Sequence, residues 1–471
     1  MSTSAPASIP AKAPAKSLHA IGLGAVGEWI MASTVNNLMM PIFTTGFGLN
    51  PVLVSWASTL PRLLDAITDP LVGHWSDNTR TRWGRRKPFL VAGGLGGAFM
   101  MVALWWCPLA WSHTSQFLYL FVVNLLFWFA FTLYTMPTYA LVAELSLDFH
   151  DRTRVMMMRS IYCSLPTLGV GWVYWLTLRP IFGGEINGIR WTSAGLAVLV
   201  VFCALMPVLF VKERYATRHQ EPQSFLRSLK SALANRQFQH AISIRLLVML
   251  GAQIFNGLSF YLNTYYACGS DKMLATKILG ISGTVHVLAT FLALPLTPWI
   301  GRRFGKIGGL RLGAGLFALA AMLGWVLITP SAPYLQIGMA LITGPAAGIF
   351  GTFMASFGAD ICDIDELNHG RRREGVFGAV TSFLTKVEAS ILALTVGYGL
   401  SFSGFSAALG MQDEYVLWKL RLFALLPYGC FTVLGLILAW HFPITQQLMT
   451  EVRAELDRNA AKNHGEPHPL V

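Results

Sequence analysis

Long apolar segments, separated by short polar connections, follow one another along almost the whole chain. The apolar segments lie at residues 20–57, 88–111, 116–146, 155–182, 190–212, 239–267, 276–300, 308–330, 333–358, 375–403 and 418–442. The first of them is divided by the break Gly46-Phe47-Gly48-Leu49-Asn50-Pro51, after which apolar sequence continues to Trp75. A helix needs about 20 apolar residues to cross a bilayer, so the pattern predicts twelve membrane-spanning helices of about 20–28 residues each.

The longest internal polar stretch, residues 212–239, follows the sixth predicted helix and divides the protein into two halves. The halves are weakly similar, because residues 73–77 and 84–86 after the second helix have a counterpart at 301–306 after the eighth. Two sets of six helices joined by a central linker are typical of alternating-access carriers built from repeats. We expect an all-α membrane protein with a disordered cytoplasmic tail at 1–18, an N-terminal six-helix half at 19–212, a central cytoplasmic linker at 213–238, a C-terminal six-helix half at 239–443 and a cytoplasmic tail at 444–471.

Composition agrees with a membrane protein and disagrees with an ordinary soluble one. Hydrophobic residues make up 54% of the 471 residues, charged residues only 12%, and the mean hydropathy is +0.52; soluble chains carry about 25% charged residues. Because positively charged loops remain in the cytoplasm, the net charge of +12 indicates topology and not nucleic-acid binding. Basic residues concentrate in alternating connections, at 80–87, 152–154, 212–236, 302–311 and 371–373. We therefore expect an integral protein of the plasma (inner) membrane with both termini cytoplasmic.

The second predicted helix carries charges that a membrane span normally excludes. Asp65 and Asp69 are four residues apart and share one helix face with Arg62. A charge near the membrane centre costs roughly 2.5–3.5 kcal/mol on insertion scales. Two carboxylates held together repel, so they share a proton or gather a cation. The alternative is a neutralised group that only packs helices, although Arg62 could neutralise only one of the two acids.

Two long motifs resemble those of a known transporter family. The first is Asp65-x3-Asp69-Pro70-x2-Gly73-x2-Ser76-Asp77-x-Thr79-Arg80-Thr81-Arg82-x-Gly84-Arg85-Arg86-Lys87-Pro88. The second is Ala359-Asp360-x2-Asp363-x-Asp365-Glu366, then Gly370-Arg371-Arg372-Arg373-Glu374-Gly375-x-Phe377 and later Lys386. Both resemble the hallmarks of the glycoside–pentoside–hexuronide:cation symporters, the melibiose-permease branch of the major facilitator superfamily. The resemblance covers about residues 18–443 and implies the major facilitator fold of two six-helix halves.

The resemblance implies a cation site on the second and fourth helices. Asp65 and Asp69 would hold the coupling Na⁺ or H⁺, and Thr132 falls where the family places a hydroxyl near the cation. Carboxylate and hydroxyl oxygens suit a hard cation. Thr68 stands where the family has an asparagine, which leaves the choice between Na⁺ and H⁺ open. Apart from a possible Na⁺ at this site, no metal or cofactor is expected, since the six cysteines lack metal-ligand spacing.

The solute site departs from the melibiose pattern. Trp29, preceded by Glu28, and Thr135 occupy the positions of two sugar-binding aspartates, so both family carboxylates are absent. Tyr139 would stack on a sugar. Arg159 resembles a substrate-holding arginine, with a purely topogenic role as the alternative, and Lys386 resembles a basic residue of span eleven, with a snorkelling lysine as the alternative. We expect a neutral glycoside or a hexuronide; a lysolipid-transporting branch with the same cation aspartates is the alternative.

The function we expect is secondary active transport, in which entry of Na⁺ or H⁺ drives uptake of a sugar, glycoside or hexuronide by alternating access. Charged residues near the connections are expected to couple or gate the movement, with topology as the alternative role: Arg62, Asp77, Arg85, Arg86, Asp360, Asp363, Asp365, Arg372 and Arg373. The expected partners are a small-molecule solute and the lipid bilayer, without nucleic acid, in a monomer. An intramembrane aspartyl enzyme is the rival class, but the chain lacks a second aspartate motif of that kind.

Overall fold

A computed structural model describes residues 13–145, 149–211, 213, 225–370, 373–407 and 409–463. The part of the chain that it describes is almost entirely helical, and its single β element is an isolated bridge between Thr81 and Gly84. The distal parts of both predicted tails, residues 1–12 and 464–471, lie outside the described residues, as do 214–224 of the predicted linker.

In the described part of the chain, twelve helices match the predicted spans, and two further helices lie in the linker and the C-terminal tail. The first six are α1 Ala15–Pro41, α2 Pro51–Asn78, α3 Lys87–Ala103, α4 His113–Glu144, α5 Phe149–Thr177 and α6 Glu185–Phe210. After the short α7 Phe225–Ala234 come α8 Arg236–Tyr261, α9 Lys272–Ala293, α10 Thr297–Leu327, α11 Ile337–His369, α12 Glu374–Ser403, α13 Glu414–Trp440 and the short α14 Gln446–Asn463. The chain is thus an all-α protein with two sets of six long helices.

Nine helical segments of the described residues are long and apolar enough to cross a membrane, and one of them, residues 272–327, contains both α9 and α10. The long helices α2 and α5 are not among the nine; they carry charged side chains that belong to the candidate sites. Charges within a membrane span are costly and often mark functional sites.

Repetition between the halves is visible in local structure. The first helix of each half, α1 and α8, ends in a π-helical turn, at Ile42–Gly46 and Leu262–Ala267. The third and fourth helices pack closely at a glycine in each half: a Cβ added to Gly93 would collide with the backbone N of Tyr134, and one added to Gly313 would lie 2.7 Å from that of Phe350. Small residues allow such close approach in membrane bundles.

The helix boundaries follow from a few residues. Pro51 starts α2, where the side chain of Asn50 accepts a hydrogen bond from the N–H of Val52 at 2.8 Å. In the second half, α10 consists of two helical pieces that meet at Gly305, and the predicted apolar segment 308–330 corresponds to the second piece. Gly305 has φ +70° inside this helix, so the chain bends there and helical hydrogen bonding resumes.

Cα packing divides the chain into two compact units. Unit 1 consists of Met1–His219, Cys268–Thr284 and Ala393–Val416, and unit 2 consists of Gln220–Ala267, Val285–Leu392 and Leu417–Val471. Unit 1 thus holds α1 to α6 together with parts of α9 and α12. The boundaries predicted from sequence stay a prediction, although α1 already begins inside the predicted tail 1–18 and α14 lies inside the predicted tail 444–471.

Candidate cation and solute sites

An oxygen cluster joins α2 to α4 in unit 1. The hydroxyl of Thr132 contacts Asp65 Oδ1 and lies 3.3 Å from Asp69 Oδ1. Thr132 is fully buried and Asp65 is 8% exposed. The four-residue spacing of the two acids presents both to the same residue of α4, as a helix face requires. The structure therefore brings together three of the four residues predicted for the cation site.

The other charged and polar residues of this part of α2 have different partners. The Thr68 hydroxyl donates to the backbone carbonyl of Asp65 at 3.3 Å, within its own helix. Arg62 donates through Nη2 to Asn36 Oδ1 of α1, and its guanidinium lies 4.7 Å from the ring centroid of Trp128. Arg62 is thus held by an amide and an aromatic face, contacts that the sequence pattern did not indicate.

The oxygen cluster suits a small hard cation or a proton. Two carboxylates and a hydroxyl are hard oxygen ligands of the kind that alkali and alkaline-earth cations prefer. Without a cation, the two negative charges repel each other in a medium of low dielectric constant. Binding of a Na⁺, or of a proton shared by the two acids, removes that repulsion. The arrangement can therefore store and release one unit of positive charge.

A second polar cluster in unit 1 joins α1, α4 and α5. Arg159 Nη2 donates to Glu28 Oε2 at 2.6 Å, and the Tyr139 hydroxyl donates to Glu28 Oε1 at 2.9 Å. The guanidinium carbon of Arg159 lies 4.5 Å from the Tyr139 ring centroid. Glu28 is 8% exposed, so this is a buried ion pair within membrane-spanning helices. An arginine that served topology alone would not require a buried carboxylate partner.

The remaining predicted solute residues are Trp29, Thr135 and Lys386. Trp29 is 43% exposed, whereas its neighbour Glu28 is buried against Arg159. Thr135 is buried on α4, four residues before Tyr139. Lys386 is half-buried in the segment of α12 that belongs to unit 2, whereas the other five predicted residues belong to unit 1.

In unit 1, a charged network surrounds the connection between α2 and α3. Arg86 Nη2 lies 2.9 Å from Asp77 Oδ1, which brings two predicted gating residues together. The carboxylate of Glu213, just after α6, accepts hydrogen bonds from the backbone N–H groups of Arg85, Arg86 and Lys87 at 2.6, 2.9 and 2.8 Å. A carboxylate at a helix N-terminus is stabilised by the helix dipole and the free N–H groups. Glu213 is not among the predicted gating residues, because its only signal in the sequence is an acid directly after the sixth span.

In unit 2, two aspartates at the end of α11 hold separate basic partners. Arg373 forms a two-pronged ion pair with Asp365, at 2.7 Å from Nε to Oδ2 and 2.6 Å from Nη2 to Oδ1. These hydrogen bonds raise the pKa of Arg373 above its ordinary value. Asp360 is fully buried, and both of its oxygens accept from Lys306 Nζ, at 2.8 and 2.6 Å.

The C-terminal helix α14 contributes to the same network. Arg453 lies 3.4 Å from Asp360 Oδ1 through Nη2 and 3.9 Å from Asp363 Oδ2 through Nε. Arg453 is not among the predicted gating residues, because α14 lies far along the chain from α11. Arg372, also predicted for this network, lies outside the described residues.

Comparison with known proteins adds independent information. The family described as MFS/sugar transport protein matches residues 20–446. The chain is 24% identical to a glucuronide carrier protein homolog of Escherichia coli (strain K12), over 89% of this chain and 90% of that protein. It is 25% identical to an isoprimeverose transporter of Lactiplantibacillus pentosus, over 80% and 78% of the two chains.

Solved structures share the fold. The crystal structure of a D-xylose–proton symporter aligns with a TM-score of 0.59 at 16% identity, covering 91% of this chain and 98% of that one. A bacterial homolog of the human lysosomal transporter Spinster aligns with a TM-score of 0.64 at 14% identity, covering 94% and 97%. These similarities confirm the predicted architecture of twelve transmembrane helices in two six-helix halves.

Proposed function

Since this chain belongs to the MFS/sugar transport protein family, and within it to the glycoside–pentoside–hexuronide:cation symporters that its two motifs resemble, we propose that it takes up a neutral sugar or glycoside together with Na⁺ or H⁺. It is a sugar–cation symporter and not an enzyme. In this proposal the protein is a monomer of the inner membrane with both termini cytoplasmic, and transport proceeds by alternating access.

The cation is assigned to the oxygen cluster of α2 and α4. The observation that carries this assignment is the contact of the Thr132 hydroxyl with the carboxylates of both Asp65 and Asp69. A buried hydroxyl between two carboxylates is a costly arrangement for packing alone, because it concentrates negative charge within the membrane. Thr68 and Arg62 are assigned supporting roles beside this cluster, Arg62 through its contact with Asn36.

The solute is assigned to the triad of Glu28, Tyr139 and Arg159. Because Glu28 pairs with Arg159 at 2.6 Å, the cluster has no net charge, and a hexuronide would not meet an uncompensated cation. A sugar hydroxyl is both donor and acceptor, and therefore matches adjacent guanidinium and carboxylate groups. Tyr139 provides an aromatic face for a sugar ring. Trp29 and Thr135 are assigned to the same solute as further contacts in unit 1, and Lys386 is assigned to solute binding in unit 2.

Coupling follows from linkage between the two sites. A bound cation removes the repulsion of Asp65 and Asp69 and so favours the arrangement of α2 and α4 that holds the solute. By reciprocity, the solute then raises cation affinity by the same factor. In the charged networks, the pairs Asp77–Arg86, Asp365–Arg373 and Asp360–Lys306 are assigned to one conformation of the transport cycle, with Asp363, Arg85 and Arg372 in support.

Counterflow and gradient-driven uptake in proteoliposomes test the proposal. Purified protein is reconstituted, and uptake of radiolabelled D-xylose, methyl-β-D-glucoside and D-glucuronate is followed under an inward Na⁺ gradient or an inward proton gradient. The expected result is accumulation of at least one neutral sugar under one gradient, with little accumulation of glucuronate. The Asp69→Asn variant should abolish gradient-driven accumulation.

The matched control is Asp457→Asn, which neutralises an exposed carboxylate of α14 and should transport like the wild type. Accumulation that survives Asp69→Asn would contradict the cation assignment. Strong preference for glucuronate would contradict the neutral-solute assignment and favour a hexuronide. Uptake of lysolipid alone would contradict sugar transport.

A further inference from the structure

A buried ion pair in unit 2 has no role in the sites described above. Arg245 lies within α8 and Glu388 within α12, and Arg245 Nη1 is 3.5 Å from Glu388 Oε2. The Glu388 side chain is 8% exposed and that of Arg245 is 26% exposed. Both residues lie inside candidate membrane spans. Charges at such positions are expensive, and they mark functional sites more often than structural ones.

The geometry of this pair differs from that of Asp365 and Arg373 in the same unit. Arg373 and Asp365 form two hydrogen bonds of 2.6 and 2.7 Å, the short distances expected of a stable two-pronged pair. Arg245 Nη1, in contrast, is buried and makes no hydrogen bond within the described part of the chain. Arg245 is therefore near enough to Glu388 to be neutralised, and yet its Nη1 has no hydrogen-bond acceptor among the residues that the structure describes.

The position of the pair repeats that of the solute triad. Glu28 and Arg159 are carried by α1 and α5, the first and fifth helices of the N-terminal half. Arg245 and Glu388 are carried by α8 and α12, the first and fifth helices of the C-terminal half. The acid and the base exchange helices between the halves. Each half thus holds a neutral guanidinium–carboxylate pair on the same two helices.

We propose that Arg245 and Glu388 form a second solute-binding pair, in which the guanidinium donates to one hydroxyl of a neutral sugar and the carboxylate accepts from a neighbouring hydroxyl. This inference rests on the proposed function, because it assumes that a sugar is transported. It deepens that proposal by requiring a solute with adjacent hydroxyl groups. An adjacent donor and acceptor match such a diol, whereas an isolated carboxylate group of a solute would be repelled by Glu388.

A structural role predicts a different outcome from a binding role, and variants separate the two. The double variant Arg245→Met/Glu388→Met removes both charges together. Replacing a buried ion pair by apolar residues of similar size is often neutral or stabilising, so this variant should fold. The single variants Glu388→Gln and Arg245→Gln each leave the other charged side chain without its ion-pair partner. They should therefore destabilise the fold more than the double variant does and serve as the comparison.

The experiment measures two affinities and one stability on detergent-purified protein. Affinity for the neutral sugar that the wild type transports best is measured by isothermal titration calorimetry with saturating cation. Cation affinity is measured by tryptophan fluorescence, and stability by the thermal midpoint without sugar. In the double variant, sugar affinity should fall at least about tenfold, while cation affinity and the thermal midpoint stay close to wild-type values. The control Glu414→Gln, at an exposed position of α13, should change none of the three.

Unchanged sugar affinity in a folded double variant would overturn this inference and leave the proposed function standing. A thermal midpoint that falls steeply in the double variant, with sugar affinity retained, would assign the pair to structure. A wild-type protein that binds none of the neutral sugars would overturn the proposed function, and this inference with it.

Discussion

Two threonines on corresponding helices of the two halves contact very different partners. On α4, Thr132 contacts the carboxylates of Asp65 and Asp69 on α2. On α11, Thr343 Oγ1 lies 3.0 Å from His286 Nδ1 on α9. In each half these are the fourth and second helices. The helix pairing is repeated, whereas the charge is not: two acids concentrate negative charge, and a single imidazole does not.

The difference shows that the two halves repeat a structural frame, the packed apolar helices, but carry different polar side chains on it. The frame needs only apolar segments and small residues where helices cross, such as Gly93 and Gly313. A cation site needs several oxygens at one place. Within the described residues, two acids and a hydroxyl meet between α2 and α4, whereas Thr343 of α11 meets a histidine of α9. Each half holds a guanidinium–carboxylate pair on its first and fifth helices, and the first half adds the proposed cation site.

The largest expected effect comes from removing the oxygens of the cation cluster. Asp65→Asn, Asp69→Asn and Thr132→Ala should each lower gradient-driven sugar uptake by roughly 100-fold, which corresponds to about 2.7 kcal/mol of lost cation binding. Thr343→Ala, the matched change in the second half, should leave uptake within about threefold of wild type. Initial rates in proteoliposomes under Na⁺ and proton gradients provide the measurement.

The same cluster can be tested by removing the cation and measuring the folding stability of the protein. If Na⁺ is the coupling ion, 100 times its Kd should stabilise the folded protein by about 2.7 kcal/mol, and Asp69→Asn should abolish this gain. Thermal unfolding with Na⁺ replaced by choline provides the comparison. Loss of coupling in Thr343→Ala as severe as in Thr132→Ala would show that both halves bind the cation, and the contrast between them would be wrong.

The largest expected effect on folding stability, as distinct from transport, comes from the ion pair of the first half. Glu28→Gln leaves Arg159 buried without its carboxylate, and breaking a buried pair in this way typically costs about 3–5 kcal/mol. Tyr139→Phe removes only one hydrogen bond to Glu28 and should cost about 1 kcal/mol. Thermal and denaturant unfolding in detergent compare the two variants. If both variants lost the same small amount of folding stability, Glu28 and Arg159 would be well solvated and would not form a buried site.

Local patterns allowed the helices and the acidic pair to be predicted. Hydropathy over about 20 residues identifies a span, and a four-residue spacing places Asp65 and Asp69 on one face without knowledge of the fold. The hydroxyl of Thr132, on another helix, entered through a family resemblance, and the structure has it in contact with both acids. The polar interruption before residue 308 coincides with Gly305, where non-helical backbone separates the two pieces of α10.

Contacts between distant segments could not be predicted from the sequence. Glu213 lies more than 120 residues from the amides that it caps, and nothing in the hydropathy pattern distinguishes it from a solvated acid. Arg245 stands in an apolar run and its partner Glu388 in another. Which residue of the neighbours Glu28 and Trp29 is buried depends on the rotation of α1 in the bundle, which single-sequence patterns define poorly.

A smaller effect is expected where the frame itself is changed. Gly93→Ala and Gly313→Ala place a Cβ against the backbone of the neighbouring helix in each half and should each cost about 1–3 kcal/mol. Gly351→Ala on α11, where a Cβ meets nothing within 4 Å, should be neutral or stabilise by up to about 1 kcal/mol. Unfolding midpoints of the three variants test whether the two glycine contacts are equivalent. If Gly93→Ala and Gly313→Ala lost unequal stability, the two halves would share their helix order but not the closeness of this contact.

The smallest expected effect concerns the contact between His286 and Thr343. Its hydrogen bond joins α9 to α11 without a second charged group, so its coupling energy should resemble that of ordinary polar contacts in membrane bundles, about 0.6 kcal/mol. A double-mutant cycle with His286→Ala and Thr343→Ala, followed by unfolding in detergent, measures this coupling. The same cycle applied to Asp65→Asn and Thr132→Ala should give a larger value in the presence of the coupling cation, because both side chains then share a ligand. If the coupling energy between His286 and Thr343 also rose with added cation, the C-terminal half would hold a cation-sensitive group of its own. Thr343 would then no longer differ from Thr132 in its response to the cation.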